Sequence, residues 1–241
     1  TADGQLWGNP IYDYSQMKLD GYSWWIDRIK AGLELFDVLR IDHFRGFESY
    51  YSIPFKDKTA RNGIWVEGPG WDLFSKVKVV LGEVRIIAED LGYLTPAVYK
   101  LLKLCDYPGM KILQFGFSGE AANEYLPHNY PKNAVVYPGT HDNKTLRAWI
   151  EEMSTEEYKY FKEYLGFDDD RYALQRAIRE CMKSVCDTCI IPIQDYLELG
   201  DGARFNTPST LGGNWVWRMK KEDCNASLSA RIRTWTEIYH R

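Results

Sequence analysis

The sequence has 241 residues, 45% of them hydrophobic, which is enough to bury one substantial core, so one domain is the default expectation. The formal net charge is -4, and lysines and arginines are scattered rather than clustered, which argues against nucleic acid as a partner. The longest apolar runs are far shorter than the roughly 20 residues of a membrane-spanning helix, so we expect no membrane partner.

Short apolar, β-branched runs alternate along the chain with amphipathic stretches, which is the pattern of βα units around a parallel sheet. The predicted elements, in chain order, are helix Tyr22–Leu35, strand Phe36–Asp42, helix Trp71–Leu81, strand Val84–Asp90, helix Thr95–Leu104, strand Met110–Phe117, strand Asn133–Tyr137, helix Lys144–Leu165, helix Arg171–Val185 and strand Thr188–Leu197. Two helix starts carry local signals: Thr95-Pro96 is an N-cap followed by proline, and Ser154 with Glu157 forms a capping box. Five βα units are therefore visible, where a closed (β/α)8 TIM barrel has eight.

The five cysteines are an odd and sparse set, which indicates a reducing, cytoplasmic environment rather than a disulfide framework. Cys186 and Cys189 form a CxxC pair, but neither a second pair nor a nearby histidine completes a metal-ligand set. We therefore expect ordinary buried thiols and no metal held by them.

Three segments place acidic residues at or just after the ends of predicted strands, where βα barrels build their active sites. They contain Asp42, Glu89 and Asp142. Because strand side chains alternate, Arg40 projects from the same face as Asp42, so that its guanidinium favours an ionised carboxylate there. Retaining glycoside chemistry needs one carboxylate to attack the anomeric carbon and a second, protonated one to assist the leaving oxygen. The three strand ends together offer such a set, whereas any one acid alone is more often a helix cap or a structural ion pair.

Six blocks of the sequence make a specific resemblance. They are GQLWGNPIYDY, DVLRIDHFRGF, IAEDLG, PGMKILQF, GTHDNKT and IPIQDYLELG. In this order and over nearly the whole chain, they resemble glycoside hydrolase family 77, the 4-α-glucanotransferases known as amylomaltases or disproportionating enzymes. The resemblance implies a (β/α)8 TIM barrel of the α/β class. It also implies that residues 1–241 are a single catalytic domain holding about strands 4 to 8, because the family has roughly as much chain again before Gly4.

By the same resemblance, Asp42 is the nucleophile, Glu89 the general acid/base and Asp142 the transition-state stabiliser, with Arg40 and His141 beside them as substrate contacts. The implied reaction transfers a segment of α-1,4-glucan to glucose or to another α-1,4-glucan, such as a maltooligosaccharide, starch or glycogen chain. It is a double displacement with retention, and it needs no cofactor.

Other residues are weaker candidates. Gln5 and Trp7 lie in a glycine- and proline-containing loop that the family places over the site, and we expect both to contact glucan. His43 is expected either to contact sugar or to make a structural hydrogen bond, because it falls on the opposite strand face from Asp42 unless the strand has ended. Asp90 is expected to be a structural partner for the same reason.

Two further expectations concern amides and indoles outside those segments. Trp24 and Trp25 follow a helical pattern and are expected in the core. Asn206 and Asn214 follow the last predicted strand and border the donor side, but the sequence gives little reason to choose between them.

Two alternatives stay open. An α-amylase-type hydrolase uses the same three acids, but such enzymes usually carry Lys-His a few residues after the nucleophile, where this chain has Phe44-Arg45-Gly46. A non-catalytic glucan-binding fragment is the other alternative, and the intact Asp42, Glu89 and Asp142 argue against it.

Overall fold

The chain divides into two units, Thr1–Met110 and Lys111–Arg241, and each contains its own hydrophobic core. The structure, a computed structural model, describes residues 3–119 and 123–241. Within these ranges, none of the helices has the length and apolar character that crossing a membrane requires.

Two short parallel strands form the part of the first unit that matters for function. The elements of this unit are α1 (Tyr14–Leu19), α2 (Ser23–Leu35), β1 (Leu39–Ile41), β2 (Ser49–Ser52), β3 (Ile64–Glu67), α3 (Gly70–Leu81), β4 (Ile86–Ala88) and α4 (Pro96–Cys105). Strand β1 pairs in parallel with β4, with Leu39 opposite Ile86 and Ile41 opposite Ala88. Their carboxyl ends therefore lie side by side at one edge of the pair.

The core of the first unit packs helices against this strand pair. Helix α2 contributes Ile26 and Ile29, three residues apart on one helix face, and α3 contributes Leu73, Phe74 and Val77 in the same way. Phe44 and Phe47 from the turn after β1 join them, and the rings of Phe44 and Phe74 are 5.2 Å apart. The turn that follows β1 is thereby held against the core by Phe44 and Phe47.

The second unit surrounds a three-stranded sheet of order β5-β6-β7. The elements are β5 (Gly109–Ile112), which begins at the end of the first unit, β6 (Ala134–Tyr137), α5 (Leu146–Glu151), α6 (Thr155–Leu165), α7 (Ala173–Lys183), β7 (Thr188–Cys189), α8 (Ile193–Tyr196) and α9 (Ala226–Ile238). Helix α7 buries one face in the core of this unit, formed by Leu174, Ala177, Ile178 and Cys181 at helical spacing.

The predicted βα alternation is present, but several boundaries differ. The helix predicted over Lys144–Leu165 is two helices, and the capping box predicted at Ser154 starts the second of them. Thr95 is the N-cap residue of a helix with Pro96 at its first position, as predicted, but the Thr95 side chain makes no capping hydrogen bond. The strand predicted over Thr188–Leu197 is wrong in its second half, where Ile193–Tyr196 is helical. Pro192 lies at this change as the N-cap residue of the helix, and it has no N–H with which to continue a strand ladder.

Some elements had no sequence prediction, namely the β2–β3 hairpin and helices α1 and α9. The hairpin pairs antiparallel with Ser49 opposite Glu67. Its connection spans residues 53–63, so no two-residue turn marked it in the sequence. Trp25 packs on the core, with its ring 5.0 Å from that of Phe47, whereas Trp24 is 42% exposed and does not fit the expected core position.

The cysteines are all free thiols. Cys181 and Cys186 are buried as expected, and Cys105 and Cys189 are half-buried. Cys224 is exposed, contrary to the expectation of buried thiols, because it lies in the irregular segment before α9.

Candidate active site

Asp42 and Glu89 directly follow the paired parallel strands β1 and β4. Because Ile41 lies opposite Ala88, the next residues of the two strands are neighbours at the carboxyl edge. The Glu89 N–H continues the ladder by donating to the Ile41 carbonyl at 2.9 Å. The structure thus places the first two predicted acids at adjacent strand ends.

Arg40 holds the Asp42 carboxylate. Arg40 Nη2 lies 2.7 Å from Asp42 Oδ1, and Arg40 Nε donates to the Met110 sulfur at 3.4 Å. Arg40 and Asp42 are two residues apart on β1 and its end, so their side chains project from the same face, as predicted. The Asp42 side chain is 75% exposed, and its carboxylate is therefore oriented by Arg40 while open to a ligand.

Backbone N–H groups hold the Glu89 carboxylate. His43 N–H donates to Oε2 at 2.7 Å, and Leu91 N–H donates to Oε1 at 2.8 Å. The Glu89 carbonyl in turn accepts from Phe44 N–H at 2.9 Å. Each carboxylate oxygen therefore has a fixed partner, and the plane of the carboxylate is set by the chain segments that follow β1 and β4.

His43 lies just beyond the end of β1 and is no longer governed by strand alternation. Its φ of 47° and ψ of 51° place it in the left-handed region, where non-glycine residues are uncommon and histidine is enriched. This conformation accompanies the hydrogen bond from its N–H to Glu89. The pKa of the His43 ring is lowered, mainly because the ring is buried. The neutral form of the imidazole is therefore favoured.

Gln5, Trp7 and His43, three predicted glucan contacts, form one contiguous group. The Trp7 ring meets the His43 ring at 4.9 Å between centroids, in a T-shaped arrangement. Trp7 Nε1 donates to Gln5 Oε1 at 3.3 Å. Trp7 is 59% exposed, so its indole offers an accessible apolar face beside the acids of the first unit.

Asp90 is a structural residue, as its predicted orientation requires. It is 3% exposed, and its Oδ1 accepts from Met110 N–H at 2.6 Å. Gly109 leaves room for it, because a Cβ at that position would lie 2.8 Å from Asp90 Cγ and closer still to one oxygen. The two adjacent carboxylates of Glu89 and Asp90 thus have different functions within the fold.

Asp142 and His141 belong to the second unit and follow β6. Asn143 Oδ1 accepts from both the N–H and the hydroxyl of Thr140, at 2.8 and 2.9 Å, which closes a tight turn over residues 140–143. This turn presents the two intervening side chains, and His141 Nε2 lies 3.4 Å from Asp142 Oδ2.

The segment after α8 orients these two residues. Asn206 Nδ2 donates to Asp142 Oδ1 at 2.5 Å, and Arg204 Nη2 donates to the Asp142 carbonyl at 2.6 Å. The Trp215 ring packs 5.2 Å from the His141 ring.

The structure distinguishes Asn206 from Asn214, which the sequence left equivalent. Asn214 Oδ1 accepts from Thr207 N–H at 2.9 Å, and Asn214 Nδ2 donates to the Thr210 hydroxyl at 3.1 Å, so it braces its own loop. Arg204 was not predicted at all, because no motif or strand end marked it.

We searched the described part of the chain for side chains that could bind a metal ion. Among residues 3–119 and 123–241, no three His, Cys, Asp or Glu side chains are grouped so as to hold a metal ion.

Comparison with known proteins gives a consistent family match. The family model for 4-alpha-glucanotransferase, glycoside hydrolase family 77, matches residues 1–224. A 4-alpha-glucanotransferase of Clostridium butyricum is 49% identical over 242 residues, covering 100% of this chain and 50% of the relative. A chloroplastic/amyloplastic 4-alpha-glucanotransferase of Arabidopsis thaliana is 44% identical, covering 100% of this chain and 42% of the relative. The chain therefore spans about half the length of the curated relatives that it matches.

Solved structures give the same result for the fold. The amylomaltase from Streptococcus agalactiae, solved in complex with acarbose, superposes with a TM-score of 0.96 at 41% identity, covering 99% of this chain and 48% of that chain. Amylomaltase from Corynebacterium glutamicum superposes with a TM-score of 0.71 at 19% identity, covering 99% and 39%, which supports the fold alone. The α/β fold thus matches that of amylomaltase, and the sequence matches reach across bacteria and plants. The chain belongs to glycoside hydrolase family 77, the 4-alpha-glucanotransferases.

Proposed function

We propose that the protein transfers segments of α-1,4-glucan to glucose or to another α-1,4-glucan, by a double displacement with retention. The observation that carries this proposal is the position of Asp42 and Glu89 at the ends of two paired parallel strands, in a chain of the 4-alpha-glucanotransferase family. The acarbose complex of the Streptococcus agalactiae amylomaltase supports a sugar as the ligand of this fold.

In the first step, Asp42 attacks the anomeric carbon of the donor while the bond to the leaving glucan breaks. Glu89 gives a proton to the leaving oxygen, so the products are a covalent glycosyl-enzyme and a free 4-hydroxyl. In the second step, Glu89 takes the proton from the 4-hydroxyl of the acceptor, whose oxygen attacks the same carbon and releases Asp42. Two inversions restore the α-linkage.

The surrounding residues supply orientation and charge. Arg40, ion-paired with Asp42 at 2.7 Å, fixes the nucleophile for attack. Asp142 and His141 bind sugar hydroxyls of the distorted, oxocarbenium-like ring, where their contacts strengthen as positive charge develops. Gln5, Trp7 and His43 contact glucan, with the exposed Trp7 indole stacking on a sugar face and limiting access of water.

The wider architecture is part of the same proposal. We place this chain in the later part of a (β/α)8 barrel, about strands 4 to 8, with residues 1–241 as part of one catalytic domain. The parallel pairing of β1 with β4 and of β6 with β7 supports this placement, as does the match over about half of each relative. A cytoplasmic location and a mechanism without metal stay predictions.

Incubation of the full-length protein with maltotriose tests the activity. Transfer yields glucose plus a ladder of longer maltooligosaccharides, and the number of reducing ends stays nearly constant because sugar hydroxyls capture the intermediate. Asp42→Asn is the control, since it removes the nucleophile while keeping the size of the side chain. A rise of reducing ends in step with maltotriose loss indicates the hydrolase, and binding without turnover indicates the non-catalytic fragment.

A second measurement assigns the two acids. In Glu89→Gln, a glycosyl fluoride donor still reacts in the first step, because fluoride needs little protonation to leave. The glycosyl group then accumulates on the peptide containing Arg40 to Arg45, where mass spectrometry detects it on Asp42. An adduct on Asp142 instead reverses the assignment of nucleophile and stabiliser.

A further inference from the structure

Asn206 lies 64 residues from Asp142 in sequence and makes a short, direct contact with its carboxylate. Its Nδ2 donates to Asp142 Oδ1 at 2.5 Å, while the other oxygen faces His141 Nε2 at 3.4 Å. The Asp142 carboxylate is therefore held at both oxygens, by an amide on one side and an imidazole on the other.

Hydrogen bonds to the main chain hold both residues of this contact in place. Arg204 donates through Nη2 to the Asp142 carbonyl at 2.6 Å and through Nε to the Asn206 carbonyl at 2.7 Å, so one guanidinium links the two chain segments. Asn206 N–H also donates to the His141 carbonyl at 3.2 Å. These hydrogen bonds connect the main chain around Asn206 to the main chain around Asp142. They therefore hold the Asn206 amide next to the Asp142 carboxylate.

We infer that Asn206 is a positioning residue that holds Asp142 in the orientation needed to stabilise the sugar ring during transfer. This inference rests on the proposed function. An amide suits the task because its N–H group donates to the carboxylate without bringing a second charge. Without the amide, the Asp142 carboxylate rotates away from the ring, so binding at the transition state suffers more than binding of the ground state.

The test is a double-mutant cycle in the full-length protein, with acarbose affinity by calorimetry and maltotriose kinetics as the two readouts. Asn206→Ala is expected to lower kcat about 10- to 100-fold with KM within about 3-fold, and to weaken acarbose binding by about 10-fold or more. In an Asp142→Ala background, Asn206→Ala is expected to change acarbose affinity by less than about 2-fold, because Asn206 acts through Asp142.

Asn214→Ala is the matched control, since it removes an amide from the same loop that braces Thr207 and Thr210 instead. Any effect of that change comes from loosening the loop, and it is expected to persist in the Asp142→Ala background. If Asn206→Ala also keeps its full effect there, Asn206 acts by bracing the loop or by contacting the sugar directly, and the positioning role is overturned.

Asn206→Asp adds a readout that a purely structural role does not move. Two carboxylates in contact cannot both ionise easily, so the pKa of one of them rises. The acid limb of the pH–kcat profile is then expected to shift upward by about one pH unit or more, with activity recovering as the pH increases. An unshifted profile contradicts the inference.

The outcomes separate the two proposals. If the wild-type protein neither binds acarbose nor forms a maltooligosaccharide ladder, the proposed function is overturned and the positioning role falls with it. If the wild type transfers glucan but the two substitutions act additively, only the positioning role is overturned.

Discussion

Replacing Gly109 by alanine tests how the strand end that carries Glu89 is held. A Cβ on residue 109 would lie 2.8 Å from the Asp90 carboxylate carbon, well inside normal contact distance. Asp90 has little room to retreat, because it is 3% exposed and its Oδ1 holds the Met110 N–H at 2.6 Å. The substitution must therefore push a buried carboxylate off its hydrogen-bond donor or displace the start of β5.

The expected cost follows from these two effects. Overpacking a well-filled site costs about 1 to 3 kcal/mol, and loss of a hydrogen bond to a charged group costs about 1.5 to 3 kcal/mol. Gly109→Ala should therefore lower the free energy of unfolding by about 3 to 5 kcal/mol, a large part of the about 5 to 15 kcal/mol of a typical protein.

Urea denaturation followed by circular dichroism measures this change, with Gly202→Ala as the control. A Cβ at Gly202 would meet no atom within 4 Å, so its substitution should shift unfolding by less than about 0.5 kcal/mol. In an Asp90→Ala background the clash partner is gone, and Gly109→Ala should then be as mild as the control. An equal cost of Gly109→Ala with and without the Asp90 carboxylate would refute the reasoning.

Two further predictions concern buried charged groups. Burial raises the pKa of Asp195 to about 7, so the folded chain holds a proton that the unfolded chain releases near pH 4, and stability should fall as the pH rises between these values. Asp195→Asn keeps an acceptor for Leu146 N–H, and urea denaturation at pH 5 and pH 8 should show that it removes about 2.7 kcal/mol of this loss, because about two pH units of that interval lie below the folded pKa. Arg45 is buried with its guanidinium 3.9 Å from the Trp65 ring, so Arg45→Ala should cost about 2 to 4 kcal/mol by the same assay. Arg28→Ala, which removes an arginine from an exposed tryptophan at 5.4 Å, should cost less than about 1 kcal/mol.

Sequence patterns predicted the parts of the molecule whose cause is local. The apolar runs before Asp42 and Glu89 predicted parallel strands, and β1 and β4 are parallel and end directly before these acids, although only β4 is largely buried. The Ser154 signal predicted a helix start because the hydroxyl and the carboxylate that cap it lie three residues apart. Such features depend on neighbours along the chain, and the sequence displays them directly.

Features that depend on tertiary packing were missed or misassigned. Strand alternation left the face of His43 dependent on where the strand ends, and β1 ends at Ile41, with His43 in the left-handed conformation. The hairpin β2–β3 has four-residue strands and a long connection, so neither length nor turn chemistry marked it. Asn206 and Asn214 looked alike because their partners are chosen by the path of the loop, which no short pattern specifies.

The hydrogen-bond partners of the candidate acids are harder to predict from the sequence than the acids themselves. The carboxylate of Glu89 is held by backbone N–H groups of His43 and Leu91, which any residue except proline supplies. The side chains at those positions therefore carry no signal of the contact. Asp142 is held instead by the side-chain amide of Asn206, which is lost when Asn206 is replaced. At His43 and Leu91, only a substitution by proline removes the backbone N–H that binds Glu89. Mutational scanning should consequently detect the support of Asp142 more readily than that of Glu89, although the Glu89 carboxylate accepts a hydrogen bond at each oxygen.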